Sequence, residues 1–116
     1  MTMTFNPRYA AVEPTRAEVD ALPGATVLEF GATWCGICKA ATPDIAQALD
    51  AQPELRHLRV EDGPGKPLGR SYKVKLWPTL VLLQDGQEIA RLVRPQGVEP
   101  IRQALQQFKS PAGGTA

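Results

Sequence analysis

Two rhythms of apolar and polar residues run through the chain. In the first, Ala25-Thr26-Val27-Leu28-Glu29-Phe30-Gly31-Ala32 is apolar and β-branched almost throughout, as in a strand covered on both faces. Thr79-Leu80-Val81-Leu82-Leu83 repeats that pattern, and residues 55–61 read as another strand. Gln84-Asp85-Gly86-Gln87 is a hairpin turn that sends a partner strand back over residues 88–93. In the second rhythm, Ala41, Ile45, Ala48 and Leu49 recur at helical spacing and predict a helix from about Trp34 to about Ala51, kinked at Pro43. Val98, Ile101, Leu105 and Phe108 mark an amphipathic closing helix.

Shorter signals fill the gaps. Thr15 followed by Glu18 is a capping box, so a short helix should run to about Leu22, where Pro23-Gly24 stops it. Residues 9–12 suit a short edge strand and residues 67–72 a short helix, after the flexible break Asp62-Gly63-Pro64-Gly65. Residues 1–8 and 110–116 are expected to be flexible termini around one domain spanning 9–109. Alternating units predict an α/β fold: a central mixed β-sheet with parallel members, helices on both faces, and an antiparallel hairpin at the close.

Composition narrows the function. At 116 residues the chain is long enough for one real core, and a net charge of +1 gives no general attraction to nucleic acid or a membrane surface. No apolar run is long enough to span a bilayer, and the first ten residues lack a secretory pattern, so a cytoplasmic protein is expected.

Both cysteines lie in Trp34-Cys35-Gly36-Ile37-Cys38-Lys39. Three apart on a helix, they share a face and lie close enough to join. A bridge there closes almost no loop and stabilises little, so the pair suits opening and closing better than stapling. In a reducing compartment such a pair is catalytic or metal-binding rather than structural. A zinc site needs four ligands, and with one distant histidine only a dimer sharing two pairs could supply them; no metal is expected.

Taken together, these elements resemble the thioredoxin family. Val27-Leu28-Glu29-Phe30-Gly31-Ala32-Thr33-Trp34-Cys35-Gly36-Ile37-Cys38-Lys39 is similar to its strand, active-site turn and helix start. Pro43 falls at its helix-kinking proline, Trp77-Pro78-Thr79 at its cis-proline facing the cysteines, and Asp85-Gly86 at its hairpin turn. Ile37 departs from the usual proline between the cysteines, Glu29 from the usual aspartate, and Trp77 from a smaller aliphatic residue.

The resemblance implies a thioredoxin-like dithiol–disulfide oxidoreductase that reduces protein disulfides as part of cell redox homeostasis and electron transport. It would act as a monomer with no cofactor beyond its own redox-active disulfide, recharged by a recycling reductase or glutathione. Loss of the proline at Ile37 tends to make such a pair less reducing. The alternative is a non-catalytic binding or assembly module on the same fold.

Cys35, at a helix N-terminus whose unpaired N–H groups stabilise negative charge, is the expected exposed nucleophile, and Cys38 the resolving thiol. Gly36, Ile37 and Lys39 support that turn. Trp34 is either a core aromatic or, as the resemblance implies, a cover beside Cys35. Trp77, Pro78 and Thr79 are expected to bind substrate, with the Trp77 backbone pairing to an extended segment. Glu29 stands in an otherwise apolar strand, and the resemblance implies that it accepts the Cys38 proton, directly or through water. If it lacks a full set of partners, removing it should leave the fold equally or more stable. Lys73, Lys75, Arg91 and Arg94 form either a basic rim near the groove or an ordinary solvated face. His57 reads as structural.

Overall fold

The computed structural model describes residues 4–108. Its framework is four strands: β1 (Ala25–Gly31), β2 (Arg56–Glu61), β3 (Thr79–Gln84) and β4 (Gln87–Val93). They lie in the order β2-β1-β3-β4, with β1 parallel to β2 and antiparallel to β3, and β4 antiparallel to β3. Helices α1 (Arg16–Asp20), α2 (Gly36–Asp50), α3 (Pro67–Ser71) and α4 (Val98–Leu105) cover both faces. The mixed sheet is the one anticipated.

Alternation along β1 sorts the core into two layers. Val27, with Leu80 and Leu82 of β3, meets Ile45 and Leu49 of α2 and Ile101 and Leu105 of α4. Leu28 and Phe30, with Val81 and Leu83, meet Val19 of α1 and Leu68 and Tyr72 around α3. Glu29 belongs by its parity to the first layer, and this puts a carboxylate beneath the helix that carries the cysteines.

Local chemistry fixes the ends of these elements. Thr15 Oγ1 accepts the Glu18 N–H at 3.0 Å and Glu18 Oε1 accepts the Thr15 N–H at 2.9 Å, so a helix of only five residues holds. Asp85 (φ 52°) and Gly86 (φ 82°) both take left-handed backbone, as a two-residue hairpin with the right twist requires. A Cβ at Gly86 would also run into the Asp20 carbonyl, so glycine is needed there on two counts. α2 runs through Pro43 without ending.

Two expectations give way at the N-terminus. The edge strand over 9–12 shrinks to one parallel bridge, Tyr9 to Arg59, with the Ala10 N–H donating to the Arg59 carbonyl at 2.8 Å. Val12 is 81% exposed, so the segment has no apolar face to hold it on the sheet. Residues 4–8, expected to be loose, are docked instead. Phe5 is buried, its N–H donates to Asp50 Oδ1 at 3.0 Å, and the Asn6 N–H donates to His57 Nδ1 at 2.8 Å. One aromatic anchor outweighs the polarity around it. The flexible tail expected over 110–116 lies outside the described residues.

Candidate active site

β1 delivers the chain to the site at Gly31, and Cys35 is the N-cap of α2. Its side chain takes the role usually given to a hydroxyl or carboxylate: Sγ accepts the Cys38 N–H at 3.2 Å. Cys35 Sγ thus sits at the amino end of α2, facing one of its free backbone N–H groups. Both cysteines are free thiols. Cys35 is less open than its expected role suggested, at 8% exposure against 1% for Cys38, because Trp77 packs over the pair.

Cys38 is poised to keep its proton. Burial above all pushes its thiol up to about 12, helped by its bond to Cys35 and by the charges of Cys35 and Glu29. A backbone bond at Ala32 works in the opposite direction and is too weak to prevail. Its ordinary value, the one it has in the unfolded chain, is 9.0. Between 9 and about 12 the folded form therefore binds more protons than the unfolded form, and stability falls as pH rises through that window. We expect the urea midpoint of the reduced protein to drop from pH 9 upward more steeply than that of the oxidised protein, which has no thiol to titrate. Parallel curves for the two forms would refute the burial of Cys38.

Around the thiols, the two tryptophans meet edge to face, with ring centroids 5.4 Å apart. Trp34 is 71% exposed, which rules out a core role, and shelters the turn from outside. The Trp77 indole N–H donates to Asp62 Oδ2 at 2.9 Å. The Trp77–Pro78 bond is cis. Pro78 shares a groove of about 470 Å³ with Ile37, Asp44 and Arg94, so the residue between the cysteines and the proline face one trough. Arg94 donates through Nε to the Trp77 carbonyl at 2.8 Å, and its own N–H donates to the Pro78 carbonyl at 2.9 Å. Arg94 thus already occupies one of the two acceptor positions of the Trp77 carbonyl. The Thr79 hydroxyl donates to the Leu76 carbonyl at 2.6 Å and so shapes the turn rather than the trough. Gly36 and Lys39 lie exposed on the first turn of α2.

Glu29 is fully buried and fully partnered. His57 Nε2 lies 2.8 Å from Oε1, Arg59 Nε 3.2 Å from the same oxygen, and Arg59 Nη2 donates to Oε2 at 3.3 Å. Because His57 Nδ1 accepts from Asn6, the ring's hydrogen is on Nε2 and is donated to Glu29. The condition under which removing Glu29 would be harmless is therefore not met. The Tyr9 hydroxyl adjoins the network, 3.5 Å from Arg59 Nη2. Gly31 admits it: a Cβ there would lie 2.8 Å from the Tyr9 hydroxyl and 3.0 Å from Cys38 Sγ. Burial, with Glu29 assisting, pushes Tyr9 up to about 12.

Arg59, Tyr9, Asp62 and this role of Arg94 escaped the sequence. For Arg59 a signal existed, since His57 and Arg59 alternate on the strand parallel to β1 and so share the Glu29 face. Nothing local in the sequence marks Asp62 or Tyr9. The four cations of the expected rim divide. Arg91 is paired with Glu88 at 2.6 Å, Arg94 holds the Trp77 carbonyl, and Lys73 and Lys75 line a separate hollow. Among the described residues no three His, Cys, Asp or Glu side chains gather as a metal site. No described helix is long and apolar enough to cross a membrane.

Comparison with known proteins agrees with this geometry. The thioredoxin family model matches residues 11–107. Thioredoxin from Staphylococcus aureus is 31% identical over 101 residues, covering 83% of this chain and 95% of that protein. Thioredoxin H-type 1 from Nicotiana tabacum is 31% identical over 90 residues, covering 78% and 71%. The match to the H-type thioredoxin of Fagopyrum esculentum spans only 58% of either chain, at 34% identity. The reduced structure of thioredoxin 2 from Pseudomonas aeruginosa PAO1 superposes with a TM-score of 0.79 at 51% identity, covering 88% of this chain and 94% of that one. With this fold, this cysteine pair and these relatives, the chain belongs to the thioredoxin family.

Proposed function

We propose that the protein is a dithiol–disulfide oxidoreductase that reduces disulfides in protein substrates. One observation carries the reading: a cysteine capping a helix N-terminus, with a second thiol one turn inside and held protonated. The Cys35 thiolate attacks one sulfur of the substrate disulfide, and the other substrate sulfur leaves as a thiolate. Cys38 then loses its proton and attacks Cys35 Sγ. The second substrate thiol departs, and two electrons have passed from the pair to the substrate. An external thiol reductant, glutathione or a recycling reductase, restores the dithiol.

Glu29 is retained as acceptor of the Cys38 proton. Oε2 is the oxygen that must yield, since its 3.3 Å contact to Arg59 is the looser one. Trp77 and Pro78 receive the substrate segment along the trough that Ile37 shares with Pro78. The protein acts as a monomer in this reading, since neither thiol exchange nor proton transfer to Glu29 calls for a residue from a second copy. Both cysteines belong to the pair and none is left for a structural bridge, which supports a reducing compartment such as the cytoplasm.

The reduced protein should cleave insulin disulfides well above a dithiothreitol control and equilibrate with glutathione at a defined potential. That potential should lie between about −270 and −120 mV, the span of related dithiols. Failure of both insulin reduction and glutathione exchange would replace this reading with a non-catalytic binding or assembly module.

A further inference from the structure

Beside the redox site lies a hollow that the exchange chemistry leaves unused. It encloses about 510 Å³, and Lys66, Arg70, Lys73 and Lys75 line it together with Asp62. One hydrogen bond links the hollow to the residue that covers the thiols. Trp77 packs against Cys35 and Cys38, and its indole N–H is held by Asp62 at the hollow's rim.

The charge in this hollow is offset only in part, by Asp62. Arg16, Arg59, Arg91 and Arg102 each stand within 3.6 Å of a carboxylate. Among the described residues no ion pair forms at Lys66, Arg70, Lys73 or Lys75, and the hollow's one acid already holds the Trp77 indole. On a chain whose net charge is only +1, four cations against the one Asp62 carboxylate leave an excess of positive charge on one concave face, and a concave wall focuses its field.

One of these cations is also held in place. After α3, the Val74 N–H donates to the Gly69 carbonyl and the Lys73 N–H to the Arg70 carbonyl, both at 2.9 Å. This is the helix ending in which glycine ordinarily takes the left-handed position. Here Lys73 takes it, at φ 59°, and this aims a charged side chain at the hollow where a glycine would leave none.

We propose that the hollow docks an acidic stretch of the substrate polypeptide, so that disulfides flanked by Asp and Glu are reduced preferentially. The inference rests on the redox reading above. An extended segment with its cysteine at Cys35 and its backbone along Trp77 has the hollow next to it, on the far side of the Trp77–Asp62 hydrogen bond.

The test uses two peptide disulfides that differ only in flanks of Asp and Glu against Ser and Gln. At low salt the wild type should favour the acidic peptide about tenfold in kcat/KM, and salt should erode the preference. Lys73→Gly combined with Lys75→Ser should bring the ratio close to one, whereas Arg102→Ser on α4 should preserve it. Lys73→Gly suits its left-handed site, so the loss will not come from misfolding. An acidic peptide without cysteine should shift the backbone amide resonances of residues 66–75. A ratio of one in the wild type, or an unchanged ratio in the double variant, overturns the proposal. So does inorganic phosphate shifting the same amides as strongly as the peptide, which would make the hollow a small-anion site. If neither peptide is reduced, yet the cysteine-free peptide still shifts those amides, the redox reading fails and the docking surface stands. Unshifted amides refute the surface itself.

Discussion

Cys35→Ser is expected to bring insulin reduction down to the rate of the reductant alone, whereas Cys38→Ser should accumulate mixed disulfides with its substrates. The asymmetry follows from position. Cys35 caps α2 and receives the Cys38 N–H, so attack starts there; Cys38, 1% exposed and pushed up to about 12, contributes only after the first exchange. Intact mass before and after a substrate pulse reads the trapped adduct, and iodoacetamide at pH 7 should alkylate Cys35 first. Faster alkylation of Cys38 would reverse the assigned roles, and the absence of any adduct on Cys35 in the Cys38→Ser variant would remove them.

Glu29→Leu should destabilise the protein by about 3–5 kcal/mol, because it leaves Arg59 buried without its counter-ion. The Arg59 side chain is only 7% exposed, and its Nε has no hydrogen-bond partner even with Glu29 present. Replacing both charges, as Glu29→Leu with Arg59→Met, should recover most of that loss, since a dry apolar pair carries no desolvation penalty. His57 then loses its acceptor, so recovery will be incomplete by about 1–3 kcal/mol. Urea midpoints at pH 7 for the wild type, single and double variants make the comparison. A Glu29→Leu protein as stable as the wild type would mean that water reaches Arg59. Insulin turnover in the double variant separates the second role: unchanged turnover would remove Glu29 from proton transfer.

Much of this was legible from residues alone. The apolar run of β1, the Asp85-Gly86 turn and the capping box at Thr15 are local devices, each with a mechanism that acts over a few residues. The cysteine pair was equally plain, since its chemistry is set by spacing and by the helix that starts there. What stayed hidden depends on neighbours far apart in sequence. Glu29 looked like an isolated acid because its partners arrive 28 and 30 residues later, on β2. Asp62 meets Trp77 across a loop and a helix, and Arg94 reaches back 17 residues to the Trp77 carbonyl. Residues 4–8 looked loose because their polarity was visible and the His57 ring awaiting Asn6 was not.

The docked N-terminal arm has a consequence for how the protein is handled. Phe5 and Tyr9 stack against the Arg59 guanidinium, at 5.1 and 4.4 Å from ring centroid to the central carbon, and the Asn6 and Pro7 carbonyls accept from Nη1. The arm therefore works as insulation: it keeps solvent, and the ions dissolved in it, from the charge pair under the second cysteine. Trimming the chain back to residue 10 would turn a dry pair into a wet one and weaken its attraction several-fold as the local dielectric rises. Shortened forms would then respond to buffer salt where the longer chain does not, although neither cysteine has been touched.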